Sequence, residues 1–268
     1  MTLAELLAQL WADYTQTTPQ AARIHALLEG RGERIVNDHV ALRGLGVAEL
    51  GIAALARPFE AVGYVEQADR YRFDDKKLVA RYWRHPDRDA PKVFISELCV
   101  GELSQSAQQS LAALVAQVPA GFSTRADLPW AGRPWRVSRA SYEALLAESE
   151  YAAWVAAFGF RVNHFTVSVD ALTTFSGLAE LDAFLVASGF VLNTSGGAIK
   201  GTRADKLEQS STRADATEVE LDGERARIPS CYYEFAKRYD GFEGFVPTSA
   251  DKIFESTDVS SSASRSNR

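Results

Sequence analysis

The chain of 268 residues contains one short pattern twice. The first copy begins with NDHVAL at residues 37–42, and the second begins with VNHFTV at residues 162–167. Each of these apolar, β-branched segments predicts a β-strand. A helical pattern follows in both copies and ends at a glycine, Gly63 or Gly189. Because the same elements recur in the same order, the sequence predicts two copies of one structural unit.

Each copy closes on a strand that carries one glutamate among apolar residues. Glu97 lies in VFISELCV, and Glu234 lies in CYYEFAK. We align these two glutamates as counterparts, with a helix and a hairpin between the first and the last strand of each copy. Each copy is then a βαβββ unit, and two such units side by side form a curved sheet around a cavity. The predicted fold class is α+β, with helices added before the first unit and between the two units.

The chain is expected to form a single catalytic domain over residues 1–255. Its parts follow in the order N-terminal helices at 1–30, first repeat at about 35–100, helical insertion at about 102–158 and second repeat at about 160–255. The pattern predicts a helix over 47–62, which Pro58 interrupts or divides into two helices, and a last strand over 228–239. The serine-rich tail, 256–268, is predicted to be disordered.

Composition and charge exclude several classes of function. Hydrophobic residues make up 46% of the chain, enough to bury a core. The formal net charge of -6 argues against nucleic acid or an anionic membrane as the main partner. No apolar run approaches the roughly 20 residues of a membrane-spanning helix, and the acidic N-terminus is unlike a signal peptide. With two cysteines, Cys99 and Cys231, the sequence predicts a cytoplasmic protein with reduced thiols.

Histidine is scarce, which limits where an imidazole-based site can form. His39 and His164 occupy matching positions on the first strands of the two units, whereas His25 and His85 are expected at the surface. Two imidazoles and one carboxylate cover one face of an octahedron and leave three positions for substrate and oxygen, a donor set that suits non-haem Fe(II). The sequence therefore predicts one divalent metal, ferrous iron, between His39, His164 and Glu234.

Each of these residues also has an interpretation without a metal. A single histidine on a strand is usually a hydrogen-bonded core residue, and Glu234 has Lys237 and Arg238 nearby as candidate ion-pair partners. A buried carboxylate is costly unless it is paired or metal-bound, and the repeated histidines favour the metal. Glu97 has two interpretations, a fourth ligand or a structural residue behind the ligands.

Arg43 adds a positive charge to only one of the two copies. It follows His39 by four positions, so both side chains are expected on the same face of the strand. The matching position in the second copy is Ser168. This asymmetry suggests that Arg43 orients an anionic substrate group, and the alternative is an exposed arginine at the end of a strand.

Six segments of the chain carry a resemblance to a known family. They are NDHVALR (37–43), KVFISEL (92–98), VNHFTVS (162–168), LEQSSTRA (207–214), CYYEFAKR (231–238) and GFEGFVPTSADKIFEST (241–257). In their order and content, these segments resemble the vicinal-oxygen-chelate-like family of 2-oxoadipate dioxygenase/decarboxylases, also called hydroxyglutarate synthases. The resemblance covers most of the chain.

The resemblance implies a set of ligands, a cofactor and a reaction. The family's metal ligands fall on His39, His164 and Glu234, and its substrate-binding arginine falls on Arg43. The implied cofactor is Fe(II). The implied reaction converts 2-oxoadipate, or a similar 2-oxo dicarboxylic acid, and O2 into 2-hydroxyglutarate and CO2.

Two features are expected to hold this substrate. Arg43 is expected to bind the distal carboxylate through a bidentate pair. The polar run Gln209, Ser210 and Ser211 is expected to donate hydrogen bonds to substrate oxygens, and its alternative is a polar strand edge or turn.

Two other functions remain open on the same fold. A glyoxalase-type isomerase or lyase would use Zn²⁺ or Ni²⁺ as a Lewis acid, with Glu97 as fourth ligand or base. A metal-free binding module would sequester a small ligand in the cavity. Oxygen consumption and metal content separate these possibilities, because a fold alone does not determine the chemistry.

Overall fold

The structure, a computed structural model, describes residues 1–47 and 49–247. The predicted disordered tail at 256–268 and the end of the last resemblance segment lie outside the described residues. The helices are α1 (Leu3–Thr17), α2 (Pro19–Gly30), α3 (Ile52–Glu60), α4 (Gln105–Val115), α5 (Arg139–Glu148), α6 (Glu150–Phe158) and α7 (Leu178–Ala187). Across these ranges, no helix combines the length and apolar character that crossing a membrane requires.

The strands form one large sheet and one separate hairpin. They are β1 (Asn37–Leu45), β2 (Val65–Glu66), β3 (Tyr71–Phe73), β4 (Leu78–Arg84), β5 (Lys92–Leu98), β6 (Val162–Ser168), β7 (Lys200–Thr202), β8 (Leu207–Ser211), β9 (Ala216–Leu221), β10 (Glu224–Pro229) and β11 (Tyr232–Arg238). Within the described ranges, the large sheet has the order β2-β4-β5-β1-β6-β11-β8-β7, and β3 pairs with β4.

The two halves of this sheet have the same topology. The first strand of each half is parallel to its last strand, β1 to β5 and β6 to β11. The two first strands, β1 and β6, then pair antiparallel at the centre of the sheet. The predicted α+β fold of two tandem βαβββ units is confirmed, and the two units join through their first strands.

Matching helix ends support the repeat. Gly63 follows α3 with a φ of +104°, and Gly189 follows α7 with a φ of +88°, a left-handed conformation that glycine adopts without strain. The amide of the residue after each glycine donates to the carbonyl five positions earlier. The aligned glycines therefore close the same kind of helix-terminating turn in both units.

The register at the centre of the sheet determines which residues meet. Across the β1–β6 pair, His39 lies opposite Thr166, and Ala41 lies opposite His164. On the other side of β6, Glu234 is also the neighbour of Thr166. The three predicted metal ligands therefore come from three adjacent strands at the junction of the two units.

Helix α1 packs against the sheet face that lies opposite these ligands. Trp11 of α1 contacts Phe165 edge-on, with 5.1 Å between ring centroids. Phe165 follows His164 directly, and successive side chains of a strand point to opposite faces. The aromatic core of α1 therefore supports β6 from one face while His164 projects from the other.

Two predicted boundaries are wrong. Helix α3 begins at Ile52 instead of residue 47, and it continues through Pro58. The buried side chains of Leu55 and Phe59 hold the helix against the sheet, which offsets the poor helix propensity of proline.

The predicted strand over 228–239 is wrong in its first part. Residues up to Pro229 belong to β10, which pairs with β9 in a separate two-stranded hairpin, and β11 begins only at Tyr232. The turn of that hairpin is Asp222-Gly223, with φ values of +52° and +92°. An Asp-Gly pair is a strong hairpin signal, so the sequence does contain the information for this boundary.

The alignment of Glu97 with Glu234 is also wrong. Ala41 and Thr166 hold equivalent positions, each opposite a histidine of the other unit. Thr166 has Glu234 as its neighbour on the last strand, whereas Ala41 has Phe94. The counterpart of Glu234 in the first unit is therefore Phe94.

Glu97 instead binds the start of α3. Its Oε2 accepts a hydrogen bond of 2.7 Å from the backbone amide of Ile52. The first amides of a helix lack partners within the helix, and the helix dipole favours a negative charge at this end. The side chain of Glu97 therefore has a structural role.

We predict that Glu97→Ala lowers the free energy of unfolding by about 1 kcal/mol, as expected for the loss of a helix cap, and leaves metal binding unchanged. Chemical denaturation and metal titration measure the two quantities. Glu102→Ala is the control, because Glu102 makes an exposed ion pair with Arg72 and should change stability by less than about 0.5 kcal/mol. Loss of metal binding in the Glu97 variant would contradict this structural role.

Candidate metal centre

Three buried side chains converge at the junction of the two units. His39, His164 and Glu234 each offer one ligand atom, and these atoms lie within 4.8 Å of one another. His39 Nε2 lies 3.6 Å from Glu234 Oε1, and His164 Nε2 lies 3.3 Å from Glu234 Oε2. The three residues are 2%, 4% and 0% exposed. They form a compact group of two imidazoles and one carboxylate, which we call the His-His-Glu group.

Neighbouring side chains fix how each imidazole is oriented. Asp38 Oδ1 lies 2.7 Å from His39 Nδ1, and Asn163 Oδ1 lies 3.0 Å from His164 Nδ1. Because these oxygens only accept hydrogen bonds, each Nδ1 carries the proton and each Nε2 has a lone pair. This is the arrangement in which a neighbouring residue orients a metal-binding histidine.

The acceptors behind the two histidines differ in charge. Arg238 binds Asp38 with both ends of its guanidinium, at 2.6 Å from Nε and 2.9 Å from Nη2. Burial opposes ionisation, but the positive charge of Arg238 holds the pKa of Asp38 well below its ordinary value. His39 is therefore backed by a carboxylate, whereas His164 is backed by the neutral amide of Asn163.

Arg238 also ties the C-terminal segment to this site. Its Nη1 donates to the carbonyl of Gly244 at 2.6 Å. Phe245 then lies edge-on against His39, with 4.9 Å between ring centroids, and it also contacts Phe94 at 4.7 Å. In the first unit, aromatic side chains therefore occupy the position that Glu234 occupies in the second unit.

The protonation of the group suits a divalent cation. Burial lowers the pKa of His39 and lowers that of His164 well below the ordinary value, so both imidazoles are neutral ligands. Burial also raises the pKa of Glu234 to about 8. Gln209 Nε2 donates to Glu234 Oε1, and Glu234 Oε2 accepts no hydrogen bond within the described residues. Two neutral nitrogens and a buried oxygen without a donor match the needs of a metal ion.

Arg43 is buried, contrary to the alternative of an exposed strand-end arginine. It is 1% exposed, and its Nη1 lies 3.0 Å from Oε1 and 3.3 Å from Oε2 of Glu150. The guanidinium also stacks on two rings of α6, Tyr151 at 4.9 Å and Trp154 at 5.0 Å. Arg43 follows His39 by four positions on β1, so it lies on the same face of the sheet as the His-His-Glu group, and its positive charge contributes to the lowered pKa of His164.

The predicted substrate-binding run on β8 divides between two faces. Gln209 contacts Glu234, and Ser211 is the cross-strand neighbour of Glu234, so both belong to the face of the metal centre. Ser210 points the other way, and its Oγ donates to Asp182 of α7 at 2.7 Å. The prediction that Ser210 binds substrate is therefore corrected, and the two-residue period of a strand explains the result.

Glu97 does not join the His-His-Glu group. Its carboxylate binds the start of α3, and within residues 1–47 and 49–247 only His39, His164 and Glu234 form a group that could hold a metal ion. The interpretation of Glu97 as a fourth ligand is thus not supported by its position.

Sequence reasoning did not assign a role to Asp38 or Asn163. The sequence does contain a signal for these two residues, because a polar residue precedes the histidine in both repeated motifs. Glu150 and Tyr232 had no such signal. Glu150 comes from the helical insertion, and the neighbours of Tyr232 depend on how the strands pair.

A continuous sheet of two βαβββ units, with a buried His-His-Glu group at their junction, defines a vicinal-oxygen-chelate-like fold. Comparison with known proteins identifies the family within this fold class. The family model described as 2-oxoadipate dioxygenase/decarboxylase matches residues 1–129 and 126–240. The chain belongs to the 2-oxoadipate dioxygenase/decarboxylase family of enzymes, as its sequence motifs predict.

Individual relatives agree over nearly the whole chain. A 2-oxoadipate dioxygenase/decarboxylase from Oryza sativa subsp. japonica, named as chloroplastic/amyloplastic, is 33% identical over 91% of this chain and 75% of that protein. The crystal structure of hydroxyglutarate synthase from Oryza sativa in complex with 2-oxoadipate is 31% identical, with a TM-score of 0.88, and covers 96% of this chain and 92% of that one. The plastid location is a property of the rice protein, and a cytoplasmic location for this chain stays a prediction.

A bacterial structure is similar in fold and closer in sequence. It comes from Shewanella frigidimarina NCIMB 400 and is described as a candidate hydrolase. It is 48% identical to this chain, with a TM-score of 0.88, and covers 91% of this chain and 98% of that one.

We predict that His39→Ala and His164→Ala each weaken the binding of Co²⁺, a probe for divalent metals, by at least about a hundredfold, because each removes one of three ligands. Isothermal titration calorimetry measures this affinity. His85→Ala is the control, because His85 lies outside the His-His-Glu group and should bind Co²⁺ like the wild type. Unchanged affinity in either ligand variant would contradict the assignment.

Metal affinity should also depend on pH through Glu234. In the metal-free protein, its carboxyl has a pKa of about 8, so below that pH a cation must displace a proton. We expect the Co²⁺ affinity to fall by about tenfold for each pH unit below 8, whereas the two histidines, already neutral, add nothing. Titrations at several pH values, with proton release followed in weak buffer, test this. Equal affinity above and below pH 8 would contradict it.

Proposed function

We propose that the chain binds one Fe(II) through His39, His164 and Glu234 and oxidises 2-oxoadipate, or a similar 2-oxo dicarboxylic acid, to 2-hydroxyglutarate. The atoms balance with one O2 consumed and one CO2 released, since a six-carbon acid becomes a five-carbon acid. The family and the rice hydroxyglutarate synthase with bound 2-oxoadipate support the substrate class.

The observation that carries the proposal is the three-ligand donor set. The fourth position expected from the symmetry of the two units is occupied by Phe94, which is not a ligand. Two histidines and one carboxylate suit ferrous iron, which, when bound, supplies chelation of the 2-oxo acid and activation of O2. This donor set disfavours the glyoxalase-type alternative, because Glu97 binds α3 and does not act as its fourth ligand or base.

The remaining side chains prepare the site for a dicarboxylate. Arg43 provides a buried positive charge on the side of the His-His-Glu group, and Glu150 and the rings of α6 hold its guanidinium in place. Such a fixed guanidinium binds a carboxylate through paired hydrogen bonds. Gln209 holds the carboxylate of Glu234, and Ser211 lies beside it. Burial of the whole group keeps bulk water away from the reacting atoms.

We predict that protein loaded anaerobically with Fe(II) consumes O2 when 2-oxoadipate and air are added, with one CO2 and one 2-hydroxyglutarate formed per O2. An oxygen electrode, trapped CO2 and chromatography of the acids measure the three quantities. His164→Ala is the control and should show no uptake. Conversion of the substrate without oxygen consumption would favour an isomerase or lyase, and no reaction with any 2-oxo acid would reject the proposal.

We further predict that Arg43→Ala retains metal binding and weakens the binding of 2-oxoadipate. Removing a charge-assisted contact with the distal carboxylate should raise KM for 2-oxoadipate by about a hundredfold. Arg81→Ala is the matched control, because Arg81 lies on β4 with 43% of its side chain exposed and pairs with Glu66. Steady-state kinetics and Co²⁺ titration of both variants give the comparison, and an Arg43 variant with unchanged kinetics would refute its role.

A further inference from the structure

Tyr232 carries a buried polar group that the proposed mechanism has not used. The residue is 0% exposed, and its hydroxyl makes no hydrogen bond in the described part of the chain. A buried hydroxyl without a partner costs free energy, because it has lost its hydrogen bonds with water. Such a group in a folded protein calls for an explanation, and one explanation is a ligand.

The position of Tyr232 points to the substrate side of the metal centre. Its ring stacks on the imidazole of His164, with 4.6 Å between centroids and 23° between planes. Tyr232 lies two positions before Glu234 on β11, so both side chains project from the same face of the sheet. Its phenol is therefore next to the His-His-Glu group and not in the aromatic core under α1.

The strand register places Tyr232 near Arg43 as well, because Tyr232 neighbours His164 on one side of β6, and Ala41, two positions before Arg43, lies opposite His164 on the other side. The charged groups that act on the Tyr232 hydroxyl include Glu234, Arg43 and Glu150. A molecule that reaches from the His-His-Glu group to the guanidinium of Arg43 therefore passes the phenol of Tyr232. A neutral O–H donor next to a cation is a suitable pair for one carboxylate, since the two donors approach different lone pairs.

We propose that the Tyr232 hydroxyl donates a hydrogen bond to the substrate carboxylate that Arg43 binds. This assignment rests on the proposed function, which supplies a dicarboxylic 2-oxo acid as the substrate. The hydroxyl lacks a partner in the protein alone and gains one when the substrate binds. The group is thus already desolvated and oriented for the substrate, which lowers the cost of binding.

The neighbouring residue provides a matched control. Tyr233 is also 0% exposed, and its hydroxyl likewise makes no hydrogen bond in the described part of the chain. It points to the opposite face of the sheet, where its ring lies 5.8 Å from Trp11 and 6.4 Å from Tyr14. Tyr232→Phe and Tyr233→Phe therefore remove the same atom from the same strand, on the two different faces.

The experiment compares two ligands on the Co²⁺-loaded wild type and both variants. The ligands are 2-oxoadipate and 2-oxohexanoate, which has the same chain length but lacks the distal carboxylate. Calorimetry gives the dissociation constants, and thermal melts without ligand give stability. We expect Tyr232→Phe to bind Co²⁺ normally, to melt at the same or a higher temperature, and to bind 2-oxoadipate about tenfold or more weakly. Its affinity for 2-oxohexanoate, and both affinities of Tyr233→Phe, should equal those of the wild type.

The outcomes separate this assignment from the proposed function. A wild type that does not bind 2-oxoadipate would reject the proposed function, and this assignment with it. If the wild type binds and Tyr232→Phe binds equally well, the assignment alone is wrong. An equal loss for both ligands, or a loss of Co²⁺ binding, would show that Tyr232 acts at the metal end through His164, which also overturns it.

Discussion

The antiparallel pairing of β1 with β6 is the contact on which the site depends. It joins the two βαβββ units through their first strands and places Ala41 opposite His164 and His39 opposite Thr166. Successive residues of a strand alternate between faces, so a shift of this register by one residue would turn a histidine towards the face that α1 covers. The backbone hydrogen bonds of this strand pair therefore bring the two imidazoles together, and β11 adds Glu234 beside them.

The two units have the same backbone topology but different side chains at the site. Glu234 in the second unit corresponds to Phe94 in the first, and the polar residue before the histidine is Asp38 in one and Asn163 in the other. A fully symmetric site would offer two carboxylates and leave less room for substrate. The aromatic residue on one side and the carboxylate on the other give the centre a closed half and a ligand-bearing half.

The features that depend on the repeat could be predicted from the sequence. The order of elements, the turns at Gly63 and Gly189, and the pairing of His39 with His164 follow from short patterns that occur twice. These patterns contain local information, such as the period of a strand or the glycine after a helix.

Other features depend on the strand register and on packing between distant segments. Glu97 and Phe94 are three positions apart on one strand, and only the register identifies which of them corresponds to Glu234. Ser210 points away because alternation places it opposite Gln209. The partner of Arg43 is Glu150, which belongs to an insertion outside the repeat and was not predictable from it.

The central strand pair also has a consequence for how the protein folds. The two histidines lie in different units, with a helical insertion between them. Glu234 lies on β11, which is the last strand along the described part of the chain. Contacts between distant segments form slowly, because the chain must lose loop entropy before these contacts stabilise it. A chain emerging from the ribosome therefore has no complete site until β11 has entered the sheet. Under the proposed function, a cation would bind to this group only late in folding and would then stabilise the contact between the two units.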